Sequence, residues 1–278
     1  MDQDPYSKYV FYLKHDTGHL YKSIAEFCNL ALPLTIFKLK NNSFSMNADN
    51  KTSKHDPTRM CSMHLPRLQF NEFRIPEELE EDDGAELLLP IESANMKKIL
   101  SGVLKKDSIG IYLLKEDVST LYFSIGNSER PNRKRVGIRL LDIGKLDDFI
   151  ITPVELCHYD KNRPTAQGNA SDFQDACKQG SVTKIDEIEI ECYKTRIRMI
   201  SKDVEIDGDH SFGDENDTQI LCRGIFSVKQ NISAVQKCCS IAKKVRLYYK
   251  PGKPLLISFC AGDYGTLDIY IVPNRETK

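Results

Sequence analysis

One order of elements occurs twice along this chain, and that repetition limits the folds open to it. Thr17 to Leu30 places Leu20, Ile24, Phe27 and Leu30 at three- and four-residue spacing, the signature of one apolar helix face. Alternating segments follow, PLTIFKLKNNSFSM and RMCSMHLPRLQFNEFRI, which read as strands around the polar loop NADNKTSKHDPT. The acidic run Pro76 to Glu86 reads as a solvated loop. A second helix from Ser93 puts Met96, Ile99, Leu100 and Val103 on one face, and DSIGIYLLKEDVSTLYFSIG makes a strand hairpin. The second half repeats this order. Ala170 to Lys178 is a helix, IDEIEIECYK and TRIRMIS are strands, and EIDGDHSFGDEND is an acidic, glycine-bearing loop. A fourth helix brings Ile232, Val235 and Cys239 into phase, before the strands KVRLYYK and PLLISFCAG. Each half also carries a Lys-Lys pair ahead of its hairpin. Such recurrence implies a duplicated α+β domain. The split falls into residues 1–141, a connecting loop at 142–153 and residues 154–278, and 278 residues suit two domains of roughly 100 to 200 each.

Charge does not point to a partner by amount, because 39 Lys and Arg stand against 40 Asp and Glu. Only its distribution can inform. The nine cysteines are scattered and form no C-x-x-C pair, so free thiols in a reducing compartment are expected and no zinc site. No stretch approaches the roughly 18 apolar residues of a membrane span. Phosphate-loop, dinucleotide, hydrolase-elbow and zincin signatures do not occur, so no catalytic residue, metal or cofactor is expected. Cys157-His158 is the one Cys/His neighbour pair, and adjacent residues on a strand point to opposite faces, which separates a nucleophile from its base. A Cys-dependent hydrolase is the enzyme alternative. The acidic segments at Glu78 to Asp83 and Asp207 to Asp217 do not follow a Ca²⁺-loop pattern.

Three stretches resemble the proliferating cell nuclear antigen family of DNA sliding clamps: IESANMKKIL, RLLDIGKLDDFIITP, and the terminal KPLLISFCAGDYGTLDIYIVP with its Asp263-Tyr264-Gly265 turn and Tyr-x-x-Pro tail. In element order the resemblance runs from Tyr9 to Pro273. Longer loops at Asn47 to Thr58, Pro76 to Glu86 and Lys161 to Gly168 mark a divergent member, as a viral copy would be. The resemblance implies an α+β DNA clamp fold with two similar domains per chain, helices lining the hole, sheets outside, and a ring-shaped homotrimer. It implies a non-enzymatic processivity factor that encircles duplex DNA without reading sequence, served by a clamp loader and located in the nucleus or in a viral replication compartment. Partners would be a DNA polymerase and other replication and repair proteins that carry a clamp-binding peptide.

Sliding requires scattered cations rather than a base-reading site. By position in the family's helices these are Lys22, Lys97, Lys98, Lys178, Lys229 and Lys237, with Arg135 and Arg139 from the basic strand. Asp175 and Cys28 make the hole less positive than is usual in the family. The peptide pocket would comprise Ala48, Phe149, Ile151, Pro254, Tyr270, Val272 and Pro273. Ring closure would use Lys134 to Leu141 against a partner within Thr195 to Gly213. Alternatives are a subunit of a heterotrimeric checkpoint-type clamp, a monomeric processivity factor, and a peptide-binding scaffold that never encircles DNA.

Overall fold

A computed structural model describes residues 5–31, 33–51, 57–127, 134–142, 159–182, 186–202, 207–228, 232, 235–260 and 265–277. Phe149, Ile151, Lys229 and the Cys157-His158 pair lie outside the described residues. The first half contains β1 (Tyr9–His15), α1 (Gly18–Ala31), β2 (Leu34–Lys40), β3 (Ser43–Lys51), β4 (Pro57–Pro66) and β5 (Glu72–Arg74). It continues with α2 (Glu77–Glu81), β6 (Leu87–Glu92), α3 (Ser93–Leu100), β7 (Ser108–Leu114), β8 (Asp117–Gly126) and β9 (Lys134–Arg139). The second half contains β10 (Ala166–Asn169), α4 (Ala170–Val182), β11 (Glu187–Tyr193), β12 (Arg196–Lys202), β13 (Asp207–Gly213) and β14 (Ile220–Ser227). A 3-10 helix (Gln236–Ile241), β15 (Lys244–Tyr248), β16 (Leu255–Cys260), β17 (Thr266–Ile271) and β18 (Arg275–Thr277) complete it.

The strands form three antiparallel sheets, ordered β5-β1-β7-β8-β9, β10-β15-β16-β17-β4-β3-β2-β6, and β13-β12-β11-β14-β18. The eight-stranded sheet crosses the duplication. Its seam is β17 against β4, in register from Thr266↔His64 to Ile271↔Arg59. Alternation decides which face is buried: Ile257, Ile269, Cys61 and Ala48 form one inward row, and the residues between them point out.

The helices close the other side of the core. Leu20, Ile24, Phe27 and Cys28 of α1 and Met96, Ile99 and Leu100 of α3 are buried against inner residues of the sheets. Helix contacts run α3 to α1, α1 to the 3-10 helix, and the 3-10 helix to α4, which sets the four helices in one continuous layer.

Two acidic segments differ from the loops expected. Glu77–Glu81 is a single helical turn entered from Pro76, with three carboxylates in its first turn, where the helix dipole favours them, and Leu79 buried beneath. Asp207–Gly213 is strand β13, because Gly208 and Phe212 turn inward while Asp209, Ser211 and Gly213 face solvent. Strands β3 and β4 also extend into the segment read as the loop NADNKTSKHDPT. The described end of the fourth helix is a 3-10 segment, Gln236–Ile241, with Cys238 and Cys239 buried.

All eight described cysteines are free thiols, and seven are buried. Burial pushes the Cys61, Cys177 and Cys238 thiols well up, so they behave as small apolar groups.

His15, 1% exposed, packs its ring against Tyr21 and Phe70 at centroid distances of 5.7 and 5.4 Å. Burial lowers its pKa, although the Thr17 backbone and Asp16 pull the other way. With the folded value below the unfolded value of about 6.5, the unfolded chain takes up the proton first. Stability is therefore complete above that pH and is lost as pH falls through it. The Tm should fall between pH of about 7.5 and 5.5, and His15→Phe should flatten that fall, as scanning calorimetry can check. A variant with an undiminished slope would remove His15 as the cause.

Candidate functional site

The outward face of the eight-stranded sheet carries one apolar row at the seam. Tyr248 lies opposite Leu256, Leu256 opposite Tyr270, and Tyr270 opposite Met60. Leu256 and Tyr248 are fully buried although they point away from the core, because Tyr159 and Lys161 fold over them. The Tyr159 hydroxyl donates to the Pro254 carbonyl at 2.6 Å, and the Tyr248 hydroxyl to the Lys161 carbonyl at 2.8 Å. The Lys161 ammonium sits 5.9 Å from the ring centres of both Tyr248 and Tyr270 and pairs with Asp268 at 2.6 Å. Tyr270 is half-exposed at the end of this covered patch, and Pro254, Val272 and Pro273 beside it are also half-buried. The Asn274 amide donates to the Ile225 carbonyl at 2.7 Å, and β18 then pairs with β14, so the tail is anchored just past Val272 and Pro273.

Of the pocket residues expected from sequence, the fold therefore brings together Pro254, Tyr270, Val272 and Pro273. Ala48 is not among them. It pairs with Cys61, one residue out of phase with Met60, and is fully buried on the core face. The grouping of Met60, Leu256, Tyr248 and Tyr159 with Tyr270 was not legible in sequence, since it depends on cross-strand register and tertiary packing.

The helix layer carries the cations in a second arrangement. Lys98 and Lys237 are exposed, and Lys97 and Lys22 are half-buried. Lys22 donates to the Val103 carbonyl at 3.5 Å, and exposed Lys178 pairs with Asp175 at 3.0 Å, a surface contact of small energy. Arg135 and Arg139 do not join them. In β9 they alternate with inward-facing Ile138 and lie opposite Ser124 and Thr120, so they occupy the sheet face turned away from the helices. The repeated Lys-Lys pairs do belong near the helix layer. Lys105, Lys243 and Lys244, with His19 and Thr17, line a cleft of 760 Å³ where the two halves meet. Sequence gave these lysines only as a mark of duplication, since their convergence requires the docking of the two domains.

Among the described residues no group of three His, Cys, Asp or Glu side chains is placed to hold a metal ion. No helix of the described residues is long and apolar enough to cross a membrane.

No protein-family model matches the chain. A probable DNA polymerase sliding clamp of Paramecium bursaria Chlorella virus 1 is 24% identical over 205 residues, covering 66% of this chain and 71% of that protein. The crystal structure of proliferating cellular nuclear antigen from Entamoeba histolytica superimposes with a TM-score of 0.71 at 18% identity, covering 96% of this chain and 100% of that one. The chain thus carries, across nearly its whole length, the two-domain clamp fold of proliferating cell nuclear antigen.

Proposed function

We propose that the protein is a DNA polymerase processivity factor, a homotrimeric sliding clamp that encircles duplex DNA and docks partner proteins by a short peptide. The observation that carries this reading is the seam between β17 and β4. In the duplicated order, β9 holds in the first domain the place of β17 in the second, and β13 holds in the second the place of β4 in the first. Yet β9 and β13 stand at the outer edges of their sheets among the described residues. Pairing β9 of one copy with β13 of the next would repeat the internal seam and hide two edges that otherwise invite aggregation.

Such a ring would place the helix layer inward, with Lys22, Lys97, Lys98, Lys178 and Lys237 scattered along duplex phosphates and Lys229 as a further member. Scattered contacts attract DNA through counterion release without fixing a register, which is what sliding needs. The outward patch around Tyr270 would receive an apolar anchor of the partner peptide, with Phe149 and Ile151 of the connecting loop as its other wall. Domains at residues 1–141 and 154–278 joined by 142–153, a clamp loader, a non-catalytic role, and work in the nucleus or a viral replication compartment all belong to the same reading.

Light scattering should give the mass of three chains. After loading, the protein should stay on circular duplex DNA and be lost when the DNA is linearised. A single-chain mass with equal retention on both DNA forms would leave the scaffold reading in its place.

A further inference from the structure

The outward face of the sheet β5-β1-β7-β8-β9 is paved with tyrosine. Register sets Tyr12, Tyr112 and Tyr122 side by side across β1, β7 and β8, with Arg74 beyond Tyr12. Tyr6 and Tyr9 extend the cluster, their rings 5.6 and 5.1 Å from that of Tyr12. Tyr112 is the buried floor, and Tyr122 stacks on it at 5.6 Å with planes only 13° apart. Tyr6, Tyr9 and Tyr12 meet one another at 46 to 56°, so these half-exposed rings do not cover one another's faces.

The cations of this face lie on rings. Arg135 is 4.6 Å from the centre of Tyr122, Arg74 is 5.3 Å from Tyr6, and Lys8 is 5.1 Å from Tyr9. Among the described residues, the carboxylates of Glu72 and Asp117 beside this face are already engaged: Glu72 by Lys14 and the Tyr6 hydroxyl, and Asp117 by the Tyr122 and Ser119 hydroxyls. The other five-stranded sheet, β13-β12-β11-β14-β18, which in the duplicated order corresponds to β4-β3-β2-β6, is built otherwise. Its outward face is neutralised within itself by Arg198 and Arg223 on Glu191, Arg198 on Asp209 and Arg275 on Glu187. A solvated sheet surface needs no more than this second arrangement.

We propose that the tyrosine face of the first domain binds single-stranded nucleic acid, through bases laid against the tilted rings and phosphates held by Arg74, Lys8 and Arg135. Base-on-aromatic stacking combined with cations is the chemistry that captures a single strand without regard to sequence. A duplex keeps its base faces covered, and an acidic peptide would leave the rings without stacking partners. The site lies on the opposite side of the sheet from the helices and does not depend on ring closure.

The test is anisotropy titration of fluorescein-labelled oligothymidylate and of a duplex of equal length. The chain has no tryptophan, so tyrosine emission gives a second, direct readout of stacking. Oligothymidylate should bind and quench tyrosine emission. Arg74→Glu, an exposed change that leaves the core intact, and Tyr12→Ala should each weaken it about tenfold, whereas Lys98→Glu should weaken the duplex alone. Unchanged affinity in Arg74→Glu, or a loss seen only in Lys98→Glu, would overturn the proposal. Displacement of the oligonucleotide by polyglutamate at equal charge would also overturn it, in favour of an acidic protein partner.

Discussion

Gly265→Ala should destabilise the protein by about 3 kcal/mol or more and lower its Tm by roughly 6 to 12 °C. Gly265 enters β17 with φ of +114°, a conformation that L side chains rarely adopt. A Cβ there would stand 2.2 Å from the carbonyl oxygen of His64, a backbone atom of β4. His64 is the residue paired with Thr266, so the clash falls on the first rung of the seam between the domains. Relief requires β17 to move off β4, which opens the eight-stranded sheet in its middle. Gly252 separates this steric cost from the conformational one, since it also has positive φ, at +70°, but nothing lies within 4 Å of its added Cβ. Gly252→Ala should therefore cost only about 1 kcal/mol. Equal melting shifts in the two variants would show that the seam tolerates the added methyl group.

What the sequence disclosed follows from the range of the signals. The faces of α1, α3 and α4 are written in three- and four-residue spacing within one element, and the hairpin β7–β8 is written in local alternation, so both were legible. The α+β duplication was legible for the same reason. Strand β13 was not, because Asp207, Asp209 and Gly213 carry loop composition, and only the burial of Phe212 and Gly208 reveals a strand. Ala48 and Met60 show a second limit. Met60 sits in an alternating segment and Ala48 in the segment read as a loop, but which faces outward depends on the β3–β4–β17 register, and a shift of one residue exchanges their places. Arg135 and Arg139 looked like companions of the helix lysines because they are basic. Alternation against Ile138 places them on the tyrosine face instead. Convergence of Tyr159 with Tyr248, and of Lys105 with Lys243, joins residues far apart in the chain, which no local pattern encodes.

Tyr270→Ala should weaken a polymerase-derived clamp-binding peptide by about 30-fold or more, the effect of losing roughly 2 kcal/mol at an aromatic anchor. Tyr270 is the half-exposed member of a row whose other residues, Tyr248, Leu256 and Met60, are buried, so it presents most of the ring area available to a ligand. Its truncation would also remove the ring on which Lys161 lies and expose the edge of Leu256 to water. Tyr270→Phe keeps that area and should change affinity by less than about threefold, which assigns the loss to the ring rather than the hydroxyl. Ala48→Leu is the counterpart on the opposite face. With no exposure and a tightly packed inward row, it should lower the Tm by overpacking while leaving the affinity of the folded protein unaltered. Fluorescence titration of the four proteins, with melting curves run in parallel, separates pocket from core. Equal affinity of wild type and Tyr270→Ala would exclude this face as the docking site, and a loss of affinity in Ala48→Leu matching that of Tyr270→Ala would mean that the two residues share a surface after all.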